Sequence, residues 1–273
     1  MLTLPALKTL ADSLPEQDIQ MPVLFIGHGS PMNAIEDNEF SERWRRLGQE
    51  IPAPKAVLCV SAHWLTRGTF VTAMNRPRTI HDFGGFPRAL FDVEYPAPGA
   101  PELAHELQAA LAPAPVGLDH GTWSVVRQMY PQATIPVLQL SLDYTRPAAW
   151  HYDLGKQLAG LRKKGVLVIG SGNMVHNLRL LVLPPDGHAN GAYGHDWALE
   201  MNDIFKRNIL VGDHQALIQY KSLGPAATLA VPSIDHYFPL LYALALQEKN
   251  EAPLMFNDKV VAGSLTMTSV KFG

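Results

Sequence analysis

The chain has 273 residues, 47% hydrophobic and 17% charged, with a net charge of -3 and one cysteine. That length can bury one large core and no stretch is biased enough to mark a linker, so a single domain over 1–273 is expected. Interspersed charges give no basic stripe for nucleic acid, no apolar run approaches the roughly 18 residues of a membrane span, and a lone cysteine rules out an internal disulfide framework.

In chain order, the first twenty residues alternate apolar and polar positions at helical spacing, bounded by Pro5 and Pro15. They lack the basic start and unbroken apolar stretch of a signal peptide, so a cytoplasmic protein is expected. Pro22 to Ile26 has no polar member, which suits a central strand buried on both faces. Gly27 and Gly29 then flank His28, and Pro31 blocks an immediate helix, so the imidazole is presented at the carboxyl end of a strand. In open α/β sheets ligands bind at that edge.

Phe40, Trp44, Leu47 and Ile51 predict an amphipathic helix over Asp37–Ile51. A second buried strand, Ala56–Val60, contains Cys59 as a core residue and runs into Ser61-Ala-His-Trp64, which delivers His63. A short strand is expected at Thr69–Met74, and Ile80-His-Asp-Phe-Gly-Gly-Phe-Pro87 reads as a loop over a pocket. A helix over Gly99–Leu111 precedes Asp119 and His120, after which a helix runs from Ser124 to Tyr130. Ile135–Leu140 is a third buried strand, Pro147–Lys164 a long helix, and Gly165–Ile169 a fourth buried strand opening into the loop that carries His176. Helices follow at Tyr193–Leu210, His214–Tyr220 and Tyr237–Gln247, the last with Ser233 and Asp235 as caps, and two terminal strands lie within Phe256–Phe272.

This alternation predicts an α/β fold: a mostly parallel central sheet with helices on both faces. His28, His63 and His176 follow three separate strands, so one sheet edge gathers them, with His236 and His120 able to join from above. Converging imidazoles at the C-terminal strand ends suit zinc, ferrous iron, copper or nickel and suit magnesium poorly. Asp82, Asp119, Asp143 and Asp235 are the carboxylates near enough to complete a two-His-one-carboxylate set. Phe83, Phe86, Trp64 and Tyr237 are candidates for an aromatic wall. His105, His151, His188, His195 and His214 are expected on the solvated surface. The chain lacks Gly-X-Ser-X-Gly, the complete dinucleotide fingerprint and a phosphate-loop lysine, which disfavours a serine nucleophile and a nucleotide site.

Six ordered motifs, Gly27-His-Gly-Ser-Pro-Met32, Val60-Ser-Ala-His-Trp64, Ile80-His-Asp-Phe-Gly-Gly-Phe-Pro87, Asp119-His-Gly-Thr-Trp123, Ser171-Gly-Asn-Met-Val-His-Asn-Leu-Arg179 and His236-Tyr-Phe-Pro-Leu-Leu-Tyr242, resemble the class III extradiol ring-cleaving dioxygenases. The resemblance runs from about residue 21 to the C-terminus. It implies one divalent metal per chain held by His28, His63 and His236, with His176 as acid/base or as a further ligand when Zn2+ is bound, and His120 as a second catalytic histidine. It also implies Ser30, Trp64, His81, Phe83 and Tyr237 around the substrate. The implied partners are a catechol such as DOPA and O2, in a monomer or small homo-oligomer. Better-known iron members of the wider family use glutamate as third ligand where this chain offers His236. Ring cleavage at Fe(II) therefore stands beside a second expectation, a Zn2+ protein that is hydrolytic or non-catalytic.

Overall fold

The computed structural model of the chain describes residues 20–107, 112–114, 116–183 and 190–273; the helical reading of residues 1–19 and the end of the helix expected to reach Leu111 lie outside the described residues. Ten strands occur in it: Val23–Gly27 (β1), Ala56–Thr66 (β2), Phe70–Thr72 (β3), Ala112–Ala114 (β4), Val137–Asp143 (β5), Val166–Gly172 (β6), Leu254–Phe256 (β7), Val260–Val261 (β8), Leu265–Thr266 (β9) and Ser269–Phe272 (β10). Eight of them form one sheet in the order β4-β3-β5-β2-β6-β1-β10-β7, and β8 and β9 pair separately. Its centre, β5-β2-β6-β1, is parallel, whereas β3 runs antiparallel to β5 and β10 antiparallel to β1.

The apolar run in β1 is buried because it has a core on each side. Val23 and Phe25 face one cluster, which includes helices Ala148–Gln157, Asp196–Val211 and Phe238–Ala245; Leu24 and Ile26 face the other, with helices Glu39–Glu50 and His120–Met129. Alternation along one strand thus divides the two cores, as side chains of period two require. Among the described residues no helix is long and apolar enough to cross a membrane.

Register sets the site. Gly27 of β1 lies beside Gly172 of β6, and Ser61 of β2 beside Ser171, so the chain beyond these residues emerges at one level. Strand β2 continues past the expected end at Val60, with its register to β5 shifting between Val60 and Leu65. His63 therefore sits in an irregular stretch of a strand rather than in a loop after it, and such an irregularity re-aims side chains.

Other expectations need correction. The helix over Pro147–Lys164 is two helices, Ala148–Gln157 and Ala159–Lys163, separated at Leu158, where Leu158 N–H donates to Gly155 O rather than one residue further back. Gly155 and Gly160 lower helix propensity on both sides of that break. His120 itself begins a helix, since the Asp119 side chain accepts from Thr122 N and caps it. Neither Ser233 nor Asp235 caps Phe238–Ala245; Tyr237 occupies that position with no side-chain cap bond. The terminal region holds β7 to β10, not two strands.

His151, expected in solvent, is fully buried between helix Phe238–Ala245 and the end of β5. Its ring bonds Tyr242 Oη at 2.9 Å and Asp143 O at 3.1 Å, and burial lowers its pKa to about 4.

Candidate active site

His28 is the first residue after β1. Gly27 is needed because a Cβ there would lie 2.6 Å from the Met267 backbone, and Gly29 because its φ is +59°. His176 comes from the loop after β6, which is fixed by His176 N donating to Ala230 O. His236 lies on the segment entering helix Phe238–Ala245, with its carbonyl accepting from Asn173 N. Asp82 reaches in from the loop over the pocket and bonds both the backbone N and the Nδ1 of His120, at 2.9 and 3.0 Å.

The Nδ1 atoms are tied from behind. His28 Nδ1 meets Ser171 Oγ at 3.0 Å, and that hydroxyl spends its own proton on Gly121 O, so Nδ1 is the donor. His236 Nδ1 meets Asn173 Oδ1 at 3.0 Å, while the Asn173 amide donates to Thr266 O, so again Nδ1–H donates. Asp82 Oδ2 accepts from His120 Nδ1 and lies 3.4 Å from His63 Nδ1. For His28, His236 and His120 this leaves Nε2 as the nitrogen with a lone pair for a ligand, the usual orienting device around a metal. The Nε2 atoms of His28 and His63 lie 3.1 Å apart, a separation that one shared proton or one cation bridges.

Burial first, and neighbouring imidazoles second, hold His28 well below the ordinary histidine range, and likewise His236. His63 falls to about 3, chiefly through burial and His120, and His176 to about 4 through burial against the raising field of Asp235. Neutral imidazoles are the form a metal needs, so no proton has to leave at neutral pH. Burial works to raise Asp82, yet the hydrogen bonds from His120 outweigh it and the carboxyl ends below its ordinary value. Burial and then Asp82 push the deeper Asp119 up to about 6; it accepts from Ser61 Oγ at 2.6 Å and from Gln139 Nε2.

The ring centres of His28, His63 and His236 form a nearly equilateral triangle of 5.0, 5.1 and 4.9 Å. Imidazoles sharing one ion, each bound at about 2.1 Å, have centres roughly 4.6–5.3 Å apart for angles from square to tetrahedral, so the donor set fits a divalent metal. On ligand-atom distances the group is His28, His63 and His120, whose nitrogens lie within 4.8 Å of one another, with the His63 and His120 ring centres 3.9 Å apart. His176 stacks on His236 at 3.4 Å with planes 5° apart. Parallel stacked rings cannot both aim an in-plane nitrogen at one ion.

These imidazoles line a cavity of about 610 Å3 that also includes Ser30, Asp82, Phe83 and Phe86. A second cavity of about 590 Å3 lies at the opposite sheet edge, beside Lys55 and Lys164, and contains none of them. Of the other expected substrate residues, three do not line the first cavity. Tyr237 is buried in the core against Phe205 and Tyr220, donating its hydroxyl to Leu217 O. His81 is held by Val93 O and packs on Trp123, while Trp64 follows His63 on a strand whose neighbours point to opposite sides. Of the four carboxylates, Asp143 is engaged with Thr145 at the end of β5, and Asp235 Oδ1 is buried without a hydrogen-bond partner among the described residues. Sequence reasoning missed the tethers Ser171, near the end of β6, and Asn173, just beyond it, although both stand in the motif that carries His176. It also missed Leu178, Leu181 and Leu183, which lack any periodic pattern.

The family model described as the catalytic LigB subunit of aromatic ring-opening dioxygenase matches residues 22–271. The 4,5-DOPA dioxygenase extradiol of Escherichia coli (strain K12) is 46% identical over 265 residues, covering 93% of this chain and 95% of the relative. That of Beta vulgaris is 36% identical over 261 residues, covering 91% and 95%. The crystal structure of an uncharacterized Escherichia coli K12 protein superposes with a TM-score of 0.79 at 39% identity, covering 93% of this chain and all of that one. With a buried imidazole cluster at the sheet edge and a family match over nearly its whole length, the chain belongs to the LigB family of aromatic ring-opening dioxygenases.

Proposed function

We propose that this chain opens the ring of a catechol such as DOPA beside its diol, using O2 and one Fe(II) held by His28, His63 and His236. The observation that carries the ligand set is the triangle of ring centres at 4.9–5.1 Å, each imidazole with its Nδ1 turned toward a polar group behind it. When bound, the metal supplies a shared point at which the deprotonated diol and O2 react. With only three protein ligands, the metal would keep positions for both.

His176 lines the cavity beside His236 and is kept neutral by burial, so its ring can take a proton from a diol hydroxyl and return it to the product. His120, fixed by Asp82, lines the cavity beside His63, ring centres 3.9 Å apart, as a hydrogen-bonding partner for the substrate oxygens. Phe83 and Phe86, with ring centres 5.5 Å apart, offer the aromatic ring an apolar wall and exclude water from it. A cytoplasmic setting accords with a single, buried cysteine.

Zn2+ fits the same all-nitrogen donors, yet its filled d shell cannot pass charge between substrate and O2. Protein stripped of metal and reloaded anaerobically with Fe(II) is expected to consume one O2 per DOPA and yield a yellow ring-opened aldehyde, while the zinc-loaded protein stays silent. Stoichiometric iron binding without oxygen uptake on DOPA, plain catechol or a carboxylated catechol would defeat the proposal.

A further inference from the structure

Asp119 is a buried carboxylate that the proton steps leave unused. It does not line the cavity, and only 4% of it is exposed. Its partners among the described residues all donate to it: Ser61 Oγ at 2.6 Å and Thr122 N at 3.1 Å to Oδ1, and Gln139 Nε2 to Oδ2. Gln139 Oε1 in turn accepts from Asp119 N at 3.1 Å and from Thr122 Oγ1 at 2.8 Å, so the amide has one orientation that serves both of its ends.

Two of the proposed ligands are reached from this carboxylate. Ser61 Oγ, which donates to Asp119, accepts from His63 N at 3.3 Å, inside the interval from Val60 to Leu65 where β2 loses its register with β5. The hydroxyl thus satisfies the backbone where the strand turns His63 toward the cavity. Asp119 also caps the helix His120–Met129, whose Gly121 packs so closely that a Cβ there would lie 2.7 Å from Ser61 Oγ and 2.9 Å from His63 Cδ2. The Gly121 carbonyl accepts from Ser171 Oγ at 2.5 Å, and Ser171 holds His28 Nδ1.

We infer that Asp119 is a positioning residue of the metal centre, fixing His63 through Ser61 and His28 through Gly121 and Ser171. This rests on His28 and His63 holding the metal, two residues common to the ring-centre triangle and to the group His28, His63 and His120.

Exchanging the carboxylate and the amide tests it. Asp119→Asn still caps the helix and still accepts from Ser61, but it sets its own NH2 against that of Gln139. Gln139→Glu alone sets two carboxylates face to face. Together the two substitutions restore every bond, with the charge moved across one of them. Chelator competition measures Zn2+ affinity, and the ligand-field spectrum of the Co2+-loaded protein reports the geometry of the centre. Each single variant should bind Zn2+ roughly tenfold more weakly and change the Co2+ spectrum, the low end of the scale for a group behind a ligand, and the double variant should return both toward wild type. Ser61→Ala, which cuts only the path to His63, should weaken Zn2+ binding less than Asp119→Asn does, and it decides the question if the Asp119 variants fail to fold. Wild-type affinity and spectrum in Asp119→Asn or in Ser61→Ala, or a double variant no tighter than either parent, would overturn the assignment. His63→Ala separates this from the ligand reading beneath it. Metal lost there and kept in Asp119→Asn sinks Asp119 alone, whereas metal kept in His63→Ala takes the ligand set and Asp119 down together.

Discussion

At the scale of single residues, what distinguishes the histidines of the centre is the atom behind each ring. Ser171 holds His28, Asn173 holds His236, and Asp82 holds His120 while approaching His63, so replacing a ring removes a ligand whereas replacing a tether only loosens its aim. His28→Ala, His63→Ala and His236→Ala are each expected to lose most bound metal while circular dichroism stays native. His176→Ala should keep its iron and still bind catechol, yet lose roughly two to four powers of ten in turnover, the usual scale for a general acid/base. His120→Ala is the discriminating member of the set. If it arrives metal-free while His236→Ala is fully loaded, the ligands are His28, His63 and His120, the cluster whose ligand atoms lie within 4.8 Å.

At the scale of elements, β6 is the part of the sheet that admits the segment bearing His236. A Cβ on Gly172 would run into the carbonyl of His236, and one on Gly170 into that of Pro239, closer than any real Cβ approaches. Gly172→Ala must therefore push the segment outward, at a cost of about 1–3 kcal/mol for an overpacked contact, and move His236 away from its partners. The expected result is a lower melting temperature together with weaker metal binding, both read on one preparation. Unchanged metal affinity in a destabilised Gly172→Ala protein would mean that His236 is not held by this contact. The strands carrying His28 and His176 were legible because their residues are apolar throughout, with glycine at the exit. His236 carried no comparable signal, since it stands on an irregular entry to a helix. His151 misled for a physical reason: a histidine on a helix reads as polar, and only the packing against Tyr242 shows that two buried oxygen atoms satisfy it.

At the scale of the whole molecule, parallel strands carry the convergence. Residues far apart in sequence arrive at one level because Gly27, Ser61 and Gly172 end or interrupt neighbouring strands, and that much follows from the α/β alternation. The antiparallel flanks β3 and β10 were not foreseen, and neither was the irregularity in β2 that turns His63 inward, because local pattern does not specify which strand a short segment joins. Nor did Trp64, His81 and Tyr237 reach the cavity, although they stand in the same motifs as residues that do. Aromatic type alone does not tell a pocket wall from packing. The reaction assigned to this edge of the sheet adds O2 across a ring bond next to the diol. Turning over a catechol under isotopically labelled O2 with the iron-loaded protein and identifying the product by mass follows both oxygen atoms. The expected product is a ring-opened semialdehyde in which both atoms of the labelled oxygen are incorporated, apart from exchange at the aldehyde. An intact ring oxidised to a quinone without label, or a diacid cut between the hydroxyl-bearing carbons, would contradict it.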